Sequence, residues 1–228
     1  MNTGPEGKRP LLLFAALFLA PLALGARHLG GVPPAAASSA AQESASSQYT
    51  GPGSCASTSC HGSVKPRDET RVLQNEYSTW IVKDKHSKAY SVLAGPVGVR
   101  MTRILGLGDP QKEPRCLACH ALDVPTAERA RTFDLSEGVS CESCHGPASQ
   151  WLGRHTTKEW QSLSGAEKAR YGMYDTADVV RRTEKCLTCH LGTPEKFVDH
   201  ELIAAGHPDL YFELDSFSAV MPRHWKQP

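Results

Sequence analysis

The chain has 228 residues, 40% of them hydrophobic and 21% charged, with a formal net charge of +1. That balance excludes the basic footprint of a nucleic-acid-binding protein and an acidic tail, and the length suits a leader followed by one domain. The unusual counts are eight cysteines and ten histidines.

At the N-terminus, Lys8 and Arg9 precede an apolar run from Leu11 to Gly25, and small residues follow. This is the order of a secretory signal peptide, so residues 1–31 are expected to direct export and the mature protein to be periplasmic. The run is shorter than the ~20 residues that cross a bilayer. Left uncleaved, it would be a membrane anchor, and membrane association is expected only in that case. Residues 32–53 contain "PPAAASSAAQESASSQYTGPG", rich in Pro, Ala and Ser and without large aliphatic side chains. Such a stretch buries too little surface to offset the entropy of ordering, so a disordered linker is expected. Residues 54–228 then form the single domain.

All eight cysteines fall in four pairs, and a histidine follows each pair. The pairs read "CASTSCH" (Cys55, Cys60, His61), "CLACH" (Cys116, Cys119, His120), "CESCH" (Cys141, Cys144, His145) and "CLTCH" (Cys186, Cys189, His190). An exported protein often spends cysteines on disulfides, and C-x-x-C pairs also suit tetrahedral zinc. Neither use explains the histidines. C-x-x-C-H is the attachment signature of c-type haem. On a helix, positions i, i+3 and i+4 share one face, so two thiols can reach the porphyrin vinyl groups while the imidazole meets the iron from the same side. In the first pair Ala56, Ser57, Thr58 and Ser59 must loop out. Four motifs predict four covalently bound haem c groups, with His61, His120, His145 and His190 as proximal iron ligands. The expected fold is mainly α with little β, a small irregular helical domain wrapped around its cofactors.

Whether the sixth iron positions are closed decides between carrier and enzyme. Residues 76–93, "EYSTWIVKDKHSKAYSVL", read as one helix ending before Gly95-Pro96. His86 then shares an apolar face with Val82, Ala89, Tyr90 and Leu93, while Lys83, Asp84 and Lys85 point away, which suits a distal ligand. His155 follows Gly146-Pro147, which breaks the attachment helix and lets the chain turn toward another haem. His200 and His207 lie about two helical turns apart and complete the candidate ligands. His224, beside Trp225, stays outside that set. Arg115, Arg129 and Arg131 are read as partners for haem propionates rather than as donors in an open distal pocket.

The stretch "GVSCESCHGPASQWLGRH" and, less closely, "TWIVKDKHSKA" resemble the tetrahaem cytochrome c-554 family, electron carriers that take electrons from hydroxylamine oxidoreductase. The resemblance implies that His86 and His155 are distal ligands of haems attached elsewhere in the chain, with a third distal ligand from the C-terminal part. It also implies a five-coordinate haem at the second motif. The expanded first motif, the linker lengths and the extra histidine of "AAGHPDLYFEL" depart from the family, and that histidine offers closure of the open site. The function expected is periplasmic transfer of electrons between redox protein partners, a donor and an acceptor, in a respiratory chain. The alternative is an enzyme that reduces a small nitrogen compound at one five-coordinate haem.

Overall fold

The computed structural model describes residues 46–226, and the expected signal peptide 1–31 lies outside them. Nine α-helices occur among the described residues: α1 Glu76–Lys83, α2 Pro96–Ile104, α3 Pro114–His120, α4 Cys141–His145, α5 Lys158–Ser162, α6 Gly165–Ala169, α7 Val179–His190, α8 His200–Ala205 and α9 Leu214–Val220. Short 3₁₀ turns join several of them, and the β structure described amounts to two isolated bridges, Tyr49 with Arg129 and Thr193 with Lys196. The fold is thus mainly helical and nearly strandless. None of these helices is long and apolar enough to cross a membrane.

The helices are short because each carries its own start and stop. Asp178 caps α7 by accepting from Arg181 N, and Asp199 caps α8 by accepting from Leu202 N. Ser140 and Ser143 form a reciprocal capping box on α4. These side chains satisfy donors that a helix N-terminus leaves unpaired. Gly146 ends α4 at φ 79°, and a Cβ there would sit 2.1 Å from Gly172 O, so the turn after the third motif admits only glycine.

Buried apolar side chains gather in three separate clusters instead of one core. Leu93, Leu117 and Ala121 form one; Met101, Leu202 and Ala205 join α2 to α8; Ala148, Trp151 and Trp160 form the third, with Tyr171 and Met173 against them. Met101 and Met173 are therefore packing residues.

Two expectations give way to the structure. The helix expected over 76–93 breaks at Asp84, which is extended at φ −86° and ψ 128°, and the chain continues as 3₁₀ turns over Lys85–Lys88 and Ser91–Ala94. Asp84 does not point away: it is 4% exposed, and its Oδ1 accepts from both His86 N and His86 Nδ1. Val82, expected on the buried face, is 74% exposed. A short acidic side chain that bonds the backbone two residues ahead competes with helical pairing, which is why apolar periodicity misreads this stretch. The expected linker also ends earlier than residue 53. Thr50 N, Gly51 N and Thr50 Oγ1 donate to the buried carboxylate of Glu142, and Tyr49 pairs with residues 128–130 through its backbone. These polar residues join the domain by hydrogen bonding, which composition does not reveal.

Candidate haem centre

In three of the four motifs the cysteine pair lies on a helix whose last residue is the histidine: α3 ends at His120, α4 at His145 and α7 at His190. The first motif reaches the same end by another route. Pro52–Cys55 form a 3₁₀ turn, Ala56–Ser59 loop out, and His61 N donates back to Cys55 O at 3.2 Å. Gly62 N closes the loop on Ser57 O at 2.9 Å, and a Cβ on Gly62 would lie 1.8 Å from Ala56 O. The looped segment therefore puts its histidine beside its cysteines despite the two extra residues.

Each of three motif histidines faces a second imidazole from a distant part of the chain. His61 and His155 have ring centres 6.1 Å apart with planes at 16°; His190 and His86 are 6.1 Å apart at 89°; His120 and His207 are 6.3 Å apart at 90°. The fourth, His145, has its imidazole pKa pushed down to about 4 by burial, with further effects of His224 and His61. All eight of these residues are partly buried, whereas His200 opens α8 exposed to solvent.

The orientation of the rings follows from their Nδ1 atoms. His61 Nδ1 bonds Glu76 Oε2 at 2.9 Å, and His86 Nδ1 bonds Asp84 Oδ1 at 2.8 Å. Backbone carbonyls take four more, Ala89 O for His120, Leu152 O for His155, Pro208 O for His207 and Pro222 O for His224, and the Thr176 hydroxyl lies 3.5 Å from His145 Nδ1. With Nδ1 engaged, Nε2 is the nitrogen left for a metal, the arrangement that outer-shell partners impose on ligating histidines. Both carboxylate partners raise the pKa of their histidine through the hydrogen bond, against the opposing effect of burial. Burial lowers His120 and His190 instead, favouring the neutral ligating form.

The cysteines place the motifs relative to one another. None of the eight is in a disulfide. Cys55 lies close enough to Cys141 for each sulfur to act on the other, as Cys119 does to Cys189, while Cys144 feels Cys186 and Cys189. The motifs thus follow one another in space in the order first, third, fourth, second. Among the described residues no three His, Cys, Asp or Glu side chains converge on a common metal point. The ligands come in opposed pairs, not cages.

Two imidazoles bound through Nε2 on opposite sides of one metal, at about 2.0–2.1 Å each, hold their ring centres roughly 6 Å apart. The three observed separations match that span, so the residues present fit a planar haem between each of those three pairs. Residues 54–146 match the family of cytochrome c554 and c-prime. Over that stretch the chain is similar to cytochromes of the c554 type. Neither the curated proteins nor the solved structures compared with the chain match it.

A c554-type cytochrome carries covalently bound haem c and works in electron transfer. The matched stretch holds the first three motifs and His86; the fourth motif, His155, His207 and His224 lie beyond it. Among the sequence candidates, the structure brings His86, His155 and His207 each opposite a motif histidine. His224, left out of the candidate set, lies within electrostatic reach of His145 and stacks edge-on against Trp225. Arg115 pairs with Asp199 at 2.6 Å and Glu201 at 3.7 Å, and Arg129 bonds Asp123 at 3.0 Å while covering the Phe133 ring.

Proposed function

We propose that this chain is a c554-type cytochrome, an exported, periplasmic tetrahaem carrier that passes single electrons between two redox proteins of a respiratory chain. The observation that supports it most is that three of the four motif histidines, His61, His120 and His190, each have a second imidazole about 6 Å away. In this reading Cys55 and Cys60, Cys116 and Cys119, Cys141 and Cys144, and Cys186 and Cys189 hold the four porphyrins as thioethers. His61 with His155, His120 with His207, His145 with His224, and His190 with His86 are the axial pairs. Haem iron supplies one-electron chemistry, and closing both axial positions leaves no place for a substrate. The chain's own residues set orientation, through Nδ1 partners, and spacing, through the adjoining thiols.

Reduction of a small nitrogen compound at an open haem of the second motif would require His120 to face free space. His207 in front of His120 supports the carrier reading instead. Each haem would bring two propionates, making the loaded protein acidic and favouring partners with a basic docking face.

Mass spectrometry of the exported protein tests the count: a gain of four haem masses over the processed chain is expected. A gain of three or fewer would overturn the tetrahaem reading. Electron paramagnetic resonance of the oxidised protein should show low-spin iron throughout, and one equivalent of high-spin, carbon-monoxide-binding haem would favour the enzyme.

A further inference from the structure

Charged side chains are distributed unequally along the order first, third, fourth, second motif. At the first motif the Glu76 carboxylate bonds the Nδ1 of His61, and its other oxygen accepts from Leu73 N at 2.7 Å and Gln74 N at 3.1 Å, so it is held in place. The Glu142 carboxylate, 2% exposed and accepting from three backbone N–H groups, lies close enough to act on both Cys55 and Cys141. At the opposite end, both histidines of the second-motif pair are held by carbonyls, Ala89 O and Pro208 O. The Lys196 ammonium sits where the second and fourth motifs meet, 3.5 Å from Cys189 Sγ and 3.1 Å from Ala118 O, and it acts on Cys119 as well. The other charges there oppose one another: Arg115 against Asp199 and Glu201, and Glu113 against Arg115 at Cys116. The fourth motif is mixed, with Asp84 on His86 and Lys196 at Cys189.

We infer that Glu76 and Lys196 set the direction of electron flow, making the first-motif haem the lowest in potential and the second-motif haem the highest. This rests on the four-site reading above. A carboxylate on Nδ1 makes an axial imidazole a stronger donor and stabilises ferric iron; an ammonium beside the porphyrin edge stabilises the reduced, less positive state. Electrons therefore enter at the Cys55–His61 end from a one-electron donor protein. They pass through the third and fourth sites, each iron losing one electron as the next gains it, and leave at the Cys116–His120 end.

The test is a redox titration of the loaded protein, followed by optical and electron paramagnetic resonance spectra, for the wild type, Glu76→Gln and Lys196→Gln. Glutamine keeps a polar partner at His61 but removes the charge. Glu76→Gln should raise the lowest-potential component by about tenfold in its reduction equilibrium, which is about 59 mV for one electron. That component should carry the rhombic low-spin signal of near-parallel imidazoles, because the His61 and His155 planes meet at 16°. Lys196→Gln should lower the highest-potential component and leave the lowest in place. The inference is overturned if, with four haems retained, Glu76→Gln moves a different component or none. It is equally overturned if Lys196→Gln raises the highest component or leaves it unmoved. Fewer than four haems in the wild type would overturn the four-site reading itself, and the gradient with it.

Discussion

His207 stands edge-on to His120, ring centres 6.3 Å apart and planes at 90°, although one residue belongs to the second motif and the other to the turn after α8. Gly206 makes the approach possible by ending α8 in the left-handed region at φ 116°, and His207 N then bonds back to Leu202 O at 2.9 Å. His200, at the other end of the same short helix, faces solvent. His207→Ala should turn one low-spin haem high-spin and admit one equivalent of carbon monoxide on reduction. His200→Ala should change neither spectrum. The reverse pattern would exchange the two residues.

Gly62 is required by a contact and not by its dihedral angles. A Cβ there would meet the Ala56 carbonyl at 1.8 Å, well inside van der Waals contact. Gly62→Ala should open the loop that returns His61 to Cys55, at a cost of about 1–3 kcal/mol or more. Beyond lower stability, the expected signature is selective loss of the first haem, seen as a mass deficit of one porphyrin in the exported protein. Four haems and an unchanged melting temperature would show that the loop relaxes without cost.

Glu142 ties the segment before the first motif to the third motif, through Thr50 N, Gly51 N, Ala148 N and the Thr50 hydroxyl. Glu142→Ala would strand these donors in a buried site, at about 1–3 kcal/mol for each one left unpaired. With roughly 2–4 °C lost per kcal/mol in a chain of this size, a melting temperature lower by on the order of 10 °C is expected. Glu142→Gln retains one acceptor oxygen and should fall between the two. A change within experimental error in Glu142→Ala would refute the tie.

Glu137 predicts a pH effect of definite sign. Its Oε2 is buried with no hydrogen-bond partner among the described residues, and burial, then Asp134 and Glu142, raise its pKa from 4.5 to about 7. The folded state thus holds a proton that the unfolded state releases above its ordinary pKa. Between about 4.5 and 7 the stability contributed by this group should fall as pH rises, and little of it should be left above 7. Glu137→Gln should flatten that slope and be relatively more stable at pH 8 than at pH 5 when compared with the wild type. Denaturant unfolding across that range checks it; equal pH slopes for the two proteins would contradict it.

Much of the chemistry is written in local spacing. C-x-x-C-H is a property of five consecutive residues on one helical turn, so the motifs of Cys116, Cys141 and Cys186 were readable without a fold, and the small residues of "CASTSCH" already required a loop. The helical class followed from the same local patterns. Nothing local indicated which histidine faces which, because His61 with His155 and His120 with His207 are brought together by turns at Gly62, Gly146 and Gly206 and by capping carboxylates. The same holds for Asp84, whose competition with helix pairing replaced a continuous helix by 3₁₀ turns and aimed His86, and for Glu142, which drew Thr50 and Gly51 out of an expected linker. His224 was weighed but kept outside the candidate set because its neighbours Arg223, Trp225 and Lys226 give no local sign of an iron site. The sequence by itself determined the attachment motifs, since each is a short local spacing. The tertiary structure alone decided which histidines face one another and the placing of Glu76 and Lys196, because contacts between residues far apart in the chain are chosen by packing and by the burial of hydrogen-bonded charge.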